Sequence, residues 1–179
     1  LASPTLNAVT ELTNQNPLTL SGNKTANAAL MLIHDGVTAE PVEIVASNAD
    51  TSWTHDLTLI EGANTFHIYA QAADGNVSAP VDGACTLDTT PPTIPVIDAP
   101  PASTGETSIT ITGTRAADGN VCLRVDQDPT CTEIESRDAE STDVSVDVSL
   151  HDGENTLCFS SADAAGNESD ETCFTVFKL

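Results

Sequence analysis

Along residues 143–151, Val144, Val146, Val148 and Leu150 alternate with Ser145, Asp147 and Ser149, and earlier Phe66, Ile68 and Ala70 alternate with His67 and Tyr69. A period of two places successive side chains on opposite faces of an extended chain, so these stretches predict strands with one buried face. Turn-forming clusters separate them at roughly eight to twelve residues: Ser21-Gly22-Asn23, Asp35-Gly36, Glu61-Gly62 and Asp74-Gly75-Asn76, with counterparts later in the chain. The pattern predicts strands near 6–12, 17–21, 29–34, 42–46, 53–60, 64–71 and 79–87. A second series follows near 93–97, 107–113, 120–125, 131–135, 143–151, 155–161 and 171–177. No helix is expected.

The two series are copies. LTLSG (18–22) matches ITITG (109–113), and residues 55–78 match residues 146–169, all at the step of 91 residues that separates Asp56 from Asp147. Leu59, Gly62, Asn64, Thr65, Gly75, Asn76 and Ser78 recur as Leu150, Gly153, Asn155, Thr156, Gly166, Asn167 and Ser169. One unbroken offset indicates an internal repeat. The proline-bearing stretch LDTTPPTIPVIDAPP (87–101) lies between the copies, with residues 88–92 as a short, semi-rigid linker. The expected architecture is all-β: two tandem immunoglobulin-like β-sandwiches of about seven strands each, spanning 1–88 and 89–179.

Composition sharpens this. Thr, Val, Ser, Asp and Ala dominate, with one Trp, one Tyr and four Phe, which suits thin sandwich cores. Asp and Glu number 27 against five Lys and Arg, a formal charge of −22, so the surface repels nucleic acid and anionic membranes. Such an excess of carboxylates fits a solvated acidic exterior or oxygen-rich sites for hard cations such as calcium. No run of about 18 apolar residues offers a membrane span. The start at Leu1-Ala-Ser-Pro, without Met or a leader-like segment, reads as a piece of a longer chain.

The segments LTLIEGANTFHIYAQAADGNVS and VSLHDGENTLCFSSADAAGNES resemble the strand–turn–strand–turn portion of bacterial Ig-like repeats, and DTTPPTIP resembles their inter-repeat joint. Such repeats occur in long surface adhesins and beside glycoside hydrolase domains. The resemblance implies a sandwich fold, an extracellular or cell-surface setting, and a non-catalytic role as adhesion stalk, spacer or binding platform. An accessory, glycan-contacting module of an extracellular carbohydrate-active enzyme and a dedicated protein-binding ectodomain are the alternatives. In the latter, segments 34–52 and 125–142 would form the contact surface. The partner would be a protein or glycan of unknown identity.

Most such repeats lack cysteines, whereas this chain has five. Cys158 and Cys173 are centred on the Ala165-Gly166 turn and so should oppose each other on a hairpin, both on the outer face, because Leu157, Phe159, Phe174 and Val176 take the inward positions. Cys122, flanked by inward Val121 and Leu123, also points outward, towards Cys131 across DQDPT. Pairing 122 with 131 and 158 with 173 is expected; 122 with 158 is the alternative, and either requires an oxidising compartment. Spacings without a C-x-x-C knuckle argue against zinc. Cys85 is left as a free thiol, aligned with inward Phe174 after a two-residue slip, and expected either in the core or in an intermolecular bond.

At the domain junction, linker residue Asp88, loop residue Asp118 and turn residue Asp163 form a candidate calcium site, by analogy with the stiffened joints of the repeats the chain resembles; the same residues also serve as ordinary turn formers. Asp126-Gln127-Asp128 lacks the later Gly and Glu of an EF-hand loop and reads as a hairpin turn. His34, His55, His67 and His151 are expected at loop and outer-face positions without ligand spacing. Trp53, which aligns with Val144, is expected in the core, with stacking on a sugar as the alternative. Asn23, Asn76 and Asn167 open sequons that matter only in a glycosylating host. No nucleophile-elbow, zincin or P-loop motif occurs, so no enzyme activity is expected.

Overall fold

A computed structural model describes residues 1–117, 119–135 and 141–179. The chain forms two compact units, Leu1–Thr89 and Thr90–Leu179. No helix occurs among the described residues.

Unit 1 contains β1 (Leu12–Thr13), β2 (Leu18–Asn23), β3 (Ala29–His34), β4 (Val42–Val45), β5 (Ser52–Leu57), β6 (Gly62–Gln71) and β7 (Val81–Leu87). One sheet runs in the order β1-β7-β6-β3-β4, and β2 pairs with β5 in the other. Unit 2 contains β8 (Val96–Ile97), β9 (Ser103–Thr104), β10 (Ser108–Thr114), β11 (Asn120–Val125), β12 (Thr132–Glu135), β13 (Asp143–Ser149), β14 (Gly153–Ala162) and β15 (Thr172–Lys178). Its sheets run β12-β11-β14-β15-β9 and β13-β10-β8. Each unit is thus an immunoglobulin-like sandwich of two sheets around its own apolar cluster.

The leading segment of each unit crosses from one sheet to the other. Thr5 and Asn7 donate main-chain hydrogen bonds to Asn23 and Ser21 on β2, after which β1 pairs in parallel with β7. In unit 2, β8 lies against β10 and β9 pairs in parallel with β15. Residues 6–12 are therefore not the single strand expected, because the chain changes partners midway. The crossing presses backbone on backbone: a Cβ on Gly22 would sit 1.9 Å from the Thr5 carbonyl oxygen, and one on Gly113 would sit 2.2 Å from that of Val96.

The cores are built by period-two inward positions. Phe66 and Ile68 in unit 1, and Leu157 and Phe159 in unit 2, are fully buried, and Trp53 and its counterpart Val144 both lie in the core. Volume is exchanged across equivalent pairs. Phe66 faces Gly83, whose missing side chain leaves room for the ring, while Leu157 faces Phe174. Close packing requires such compensation when one member of a pair changes size.

Candidate functional site

Each unit buries a side-chain cation in the loop after its β2- or β10-type strand. Lys24 Nζ donates to the carbonyl oxygens of Ala28 at 3.1 Å and Asn48 at 3.3 Å. Arg115, at the same place in the repeat, donates to Ala116, Gly119 and Ser141, each at 3.0 Å, and to Ala117 at 3.4 Å. Both residues are less than a tenth exposed. These loop carbonyls thus accept from a covalently attached cation, which satisfies acceptors that burial would otherwise leave costly. The signal was available in the sequence: Lys24 is the sole Lys or Arg of residues 1–89, and it recurs as Arg115 at the 91-residue step.

Two further polar braces repeat. Asn64 Oδ1 accepts from the Ile60 N–H at 2.9 Å, while its Nδ2 donates to the carbonyls of Ile60 and Gly62, both at 2.8 Å. Asn155 does the same for His151 and Gly153. These asparagines close the turns in which Gly62 and Gly153 take φ of 88° and 92°. Ser78 and Ser169 each accept from a main-chain N–H, of Ala70 and Ser161, and donate to the carbonyls of Ala79 and Asp170.

Of the calcium candidates, Asp88 lies just after β7 in unit 1, where its N–H donates to the Thr13 carbonyl at 2.9 Å. Asp118 lies outside the described residues. Asp163 is committed to its own turn: Oδ1 accepts from the N–H groups of Gly166 at 2.9 Å and Asn167 at 2.8 Å, and Oδ2 accepts from Asn167 Nδ2 at 2.9 Å. Burial works to raise the Asp163 pKa, but these donors together hold it below the usual value. Asp128 likewise caps its own turn, accepting from the N–H of Thr130, while Asp126 accepts from the N–H of Thr156 on β14.

Cys122 is bonded to Cys131 and Cys158 to Cys173. Cys158 opposes Cys173 directly with Cα atoms 4.1 Å apart, whereas Cys122 faces Ser160, so a 122–158 bridge has the wrong register. Cys122 is outside the apolar cluster, as alternation requires, yet it is buried rather than exposed. The grouping of Cys158, Glu171 and Cys173 has metal-ligand proximity, but with the sulfurs joined it offers no thiolate. Cys85 is a buried free thiol, and burial pushes its pKa up. It faces Asn64 as Val176 faces Asn155, so its counterpart is Val176 at the straight offset; the two-residue slip to Phe174 does not occur.

The histidines depart from expectation at one position. His34 is not on an outer face: it is 1% exposed and donates through Nε2 to Asn64 Oδ1 at 2.9 Å, since that oxygen can only accept. His67 lies between Asp82, 2.7 Å from Nδ1, and Asp35, 3.3 Å from Nε2. His151 Nε2 is 2.8 Å from Asp126. None of these contacts aligns a nucleophile with a base.

No family model matches the chain, and no curated protein matches it. Among solved structures it is similar to the fibronectin(III)-like modules of Clostridium thermocellum CbhA, with TM-score 0.57 and 15% identity over 98% of this chain and 93% of that one. It is also similar to the chicken CNTN1 FN1-FN3 domains, with TM-score 0.54 and 10% identity over 99% and 68%. The BSP domain of a biofilm-associated protein aligns at TM-score 0.35 and 16% identity, over 98% of this chain and 29% of that one, too weakly to support an argument. Together with the sheet orders above, the first two likenesses place the chain among all-β folds built of tandem immunoglobulin-like, fibronectin(III)-type sandwiches.

Proposed function

We propose that the chain is a non-catalytic module of a bacterial surface or secreted protein, serving as a stalk, spacer or binding platform. The observation that carries this reading is the repetition of the same internal braces at one offset: Lys24 and Arg115, Asn64 and Asn155, Ser78 and Ser169. Side chains that in an enzyme would converge on a substrate are spent here on each unit's own backbone. The disulfides of unit 2 support an oxidising, extracellular setting. A glycan-contacting role draws less support, because Trp53 is buried and the described residues present no row of exposed aromatics.

The test is to recover the protein from its host without reductant and alkylate it before and after reduction. Protection of Cys122, Cys131, Cys158 and Cys173 until reduction supports the reading. Their alkylation in the native, unreduced protein would overturn the extracellular assignment.

A further inference from the structure

A cleft of about 290 Å³ opens in unit 1 beside β4 and β5. Leu32, Ile44 and Leu57 line it, and Val37 and Val42, 47% and 48% exposed, stand at its mouth. Both flanking strands end their sheets: β4 pairs with β3, and β5 with β2, leaving each an outer row of main-chain donors and acceptors with no ladder partner among the described strands.

The charge around this cleft has one sign. Glu43 and Asp56 line it, and the exposed Glu40 lies just before β4. The one Lys or Arg of unit 1, Lys24, is buried against the Ala28 and Asn48 carbonyls and neutralises nothing on the surface. His55, also lining the cleft, has its pKa lowered by burial and adds no positive charge at neutral pH.

We propose that this cleft takes an extended, cationic segment of a partner protein, added as a strand along the free edge of β4. Its apolar side chains enter the cleft, and its Lys or Arg residues face Glu40, Glu43 and Asp56. Main-chain pairing at an open sheet edge supplies affinity while alternate side chains supply selectivity. The cleft volume lies just below the roughly 300–1,000 Å³ of small-molecule pockets, which suits a few aliphatic side chains better than a larger ligand. A second copy of this chain is a poor occupant, because a molecule of formal charge −22 brings carboxylates to carboxylates. The proposal goes beyond the stalk or spacer reading and does not depend on it, since the cleft belongs to unit 1 alone.

The test uses the whole oxidised chain, titrated with an octapeptide of alternating Lys and Val by calorimetry and amide chemical shifts. Alternating Glu–Val and Lys–Ser octapeptides are the controls. The Lys–Val peptide is expected to bind with shifts centred on residues 42–45 and to weaken as salt rises from about 50 to about 300 mM. Glu43→Gln with Asp56→Asn is expected to weaken it about tenfold, and Val42→Lys, at an exposed position, to abolish binding while leaving the melting temperature near that of the parent. Equal binding of the Glu–Val peptide, unchanged binding to Val42→Lys, absence of binding, or shifts centred elsewhere would each overturn the proposal. Sedimentation completes it: self-association abolished by Val42→Lys would assign the edge to a second copy instead.

Discussion

His67 and Asp82 face each other across β6 and β7, Nδ1 to Oδ1 at 2.7 Å, at the register position that the Cys158–Cys173 bridge holds across β14 and β15. The last hairpin of each unit is therefore tied at the same place, ionically in one copy and covalently in the other. Asp35 approaches the free side of the His67 ring, so unit 1 arranges two carboxylates around one imidazole.

That arrangement makes unit 1 sensitive to pH. The hydrogen bond to Asp82, aided by the Asp35 charge and opposed by partial burial, raises the His67 pKa above its ordinary 6.5. A raised folded-state pKa gives stability that is complete below about pH 6.5 and disappears as pH rises through the folded value. The melting temperature of the parent is expected to exceed that of His67→Gln by no more than about 4 °C below that pH, with the gap closing in mildly alkaline buffer. A gap that widens with pH would contradict the assignment. The His151–Asp126 contact is common to both proteins and cancels in the comparison.

The covalent brace is worth more. Removing the 158–173 bridge by Cys158→Ser with Cys173→Ser is expected to cost roughly 2–4 kcal/mol in denaturant unfolding. Cys158→His with Cys173→Asp, which transplants the unit 1 pair, is expected to recover a minor part of that loss. Equal stability of the two double variants would show that register equivalence does not carry interaction equivalence.

Removing a buried cation strands its acceptors. Lys24→Met and Arg115→Met are each expected to cost about 2–4 kcal/mol, and Arg115→Lys less, since an ammonium can still reach some of the carbonyls. Calcium at Asp88, Asp118 and Asp163 is tested in the same melts. The guanidinium already serves the Ala116, Ala117 and Gly119 carbonyls, and Asp163 serves its own turn. Chelator is therefore expected to leave the unit 2 transition in place, and a clear downward shift would establish a metal.

Cys85 is expected to resist thiol reagents in the native chain and to react once the chain is unfolded, because its sulfur is buried and its thiolate disfavoured. Cys85→Val copies the residue found at Val176 and is expected to change stability by less than about 1.5 kcal/mol. Rapid native labelling would instead indicate an accessible thiol.

Alternation locates β11 on residues 120–125, where Val121, Leu123 and Val125 alternate with Asn120, Cys122 and Arg124. β3, on residues 29–34, is instead a short apolar run from Ala29 to Ile33, bounded by the turn at Asp35-Gly36. Alternation has nothing to read there. It fails at β1 and β9, two residues each, which are too short to show a period and are defined by a parallel partner far along the chain. His34 continues the inward series of Leu30 and Leu32, but a histidine beside Asp35-Gly36 reads as part of the turn; only its contact with Asn64 explains the burial. Opposed Cys158 and Cys173 follow from hairpin arithmetic because the turn is centred between them. The roles of Lys24 and Arg115 do not follow from local pattern, since a lone basic residue before a loop ordinarily lies in solvent.

The parallel pairing of an early strand with the last strand of each unit, Leu12 and Thr13 beside Thr86 and Leu87, and Ser103 and Thr104 beside Phe177 and Lys178, has a mechanical meaning. Tension on the two ends of a unit drags these strands past one another in opposite directions, loading their bonds simultaneously instead of peeling them one by one. Each sandwich then yields abruptly at high force, and in the second the 158–173 bridge withholds the enclosed hairpin from the length released on rupture.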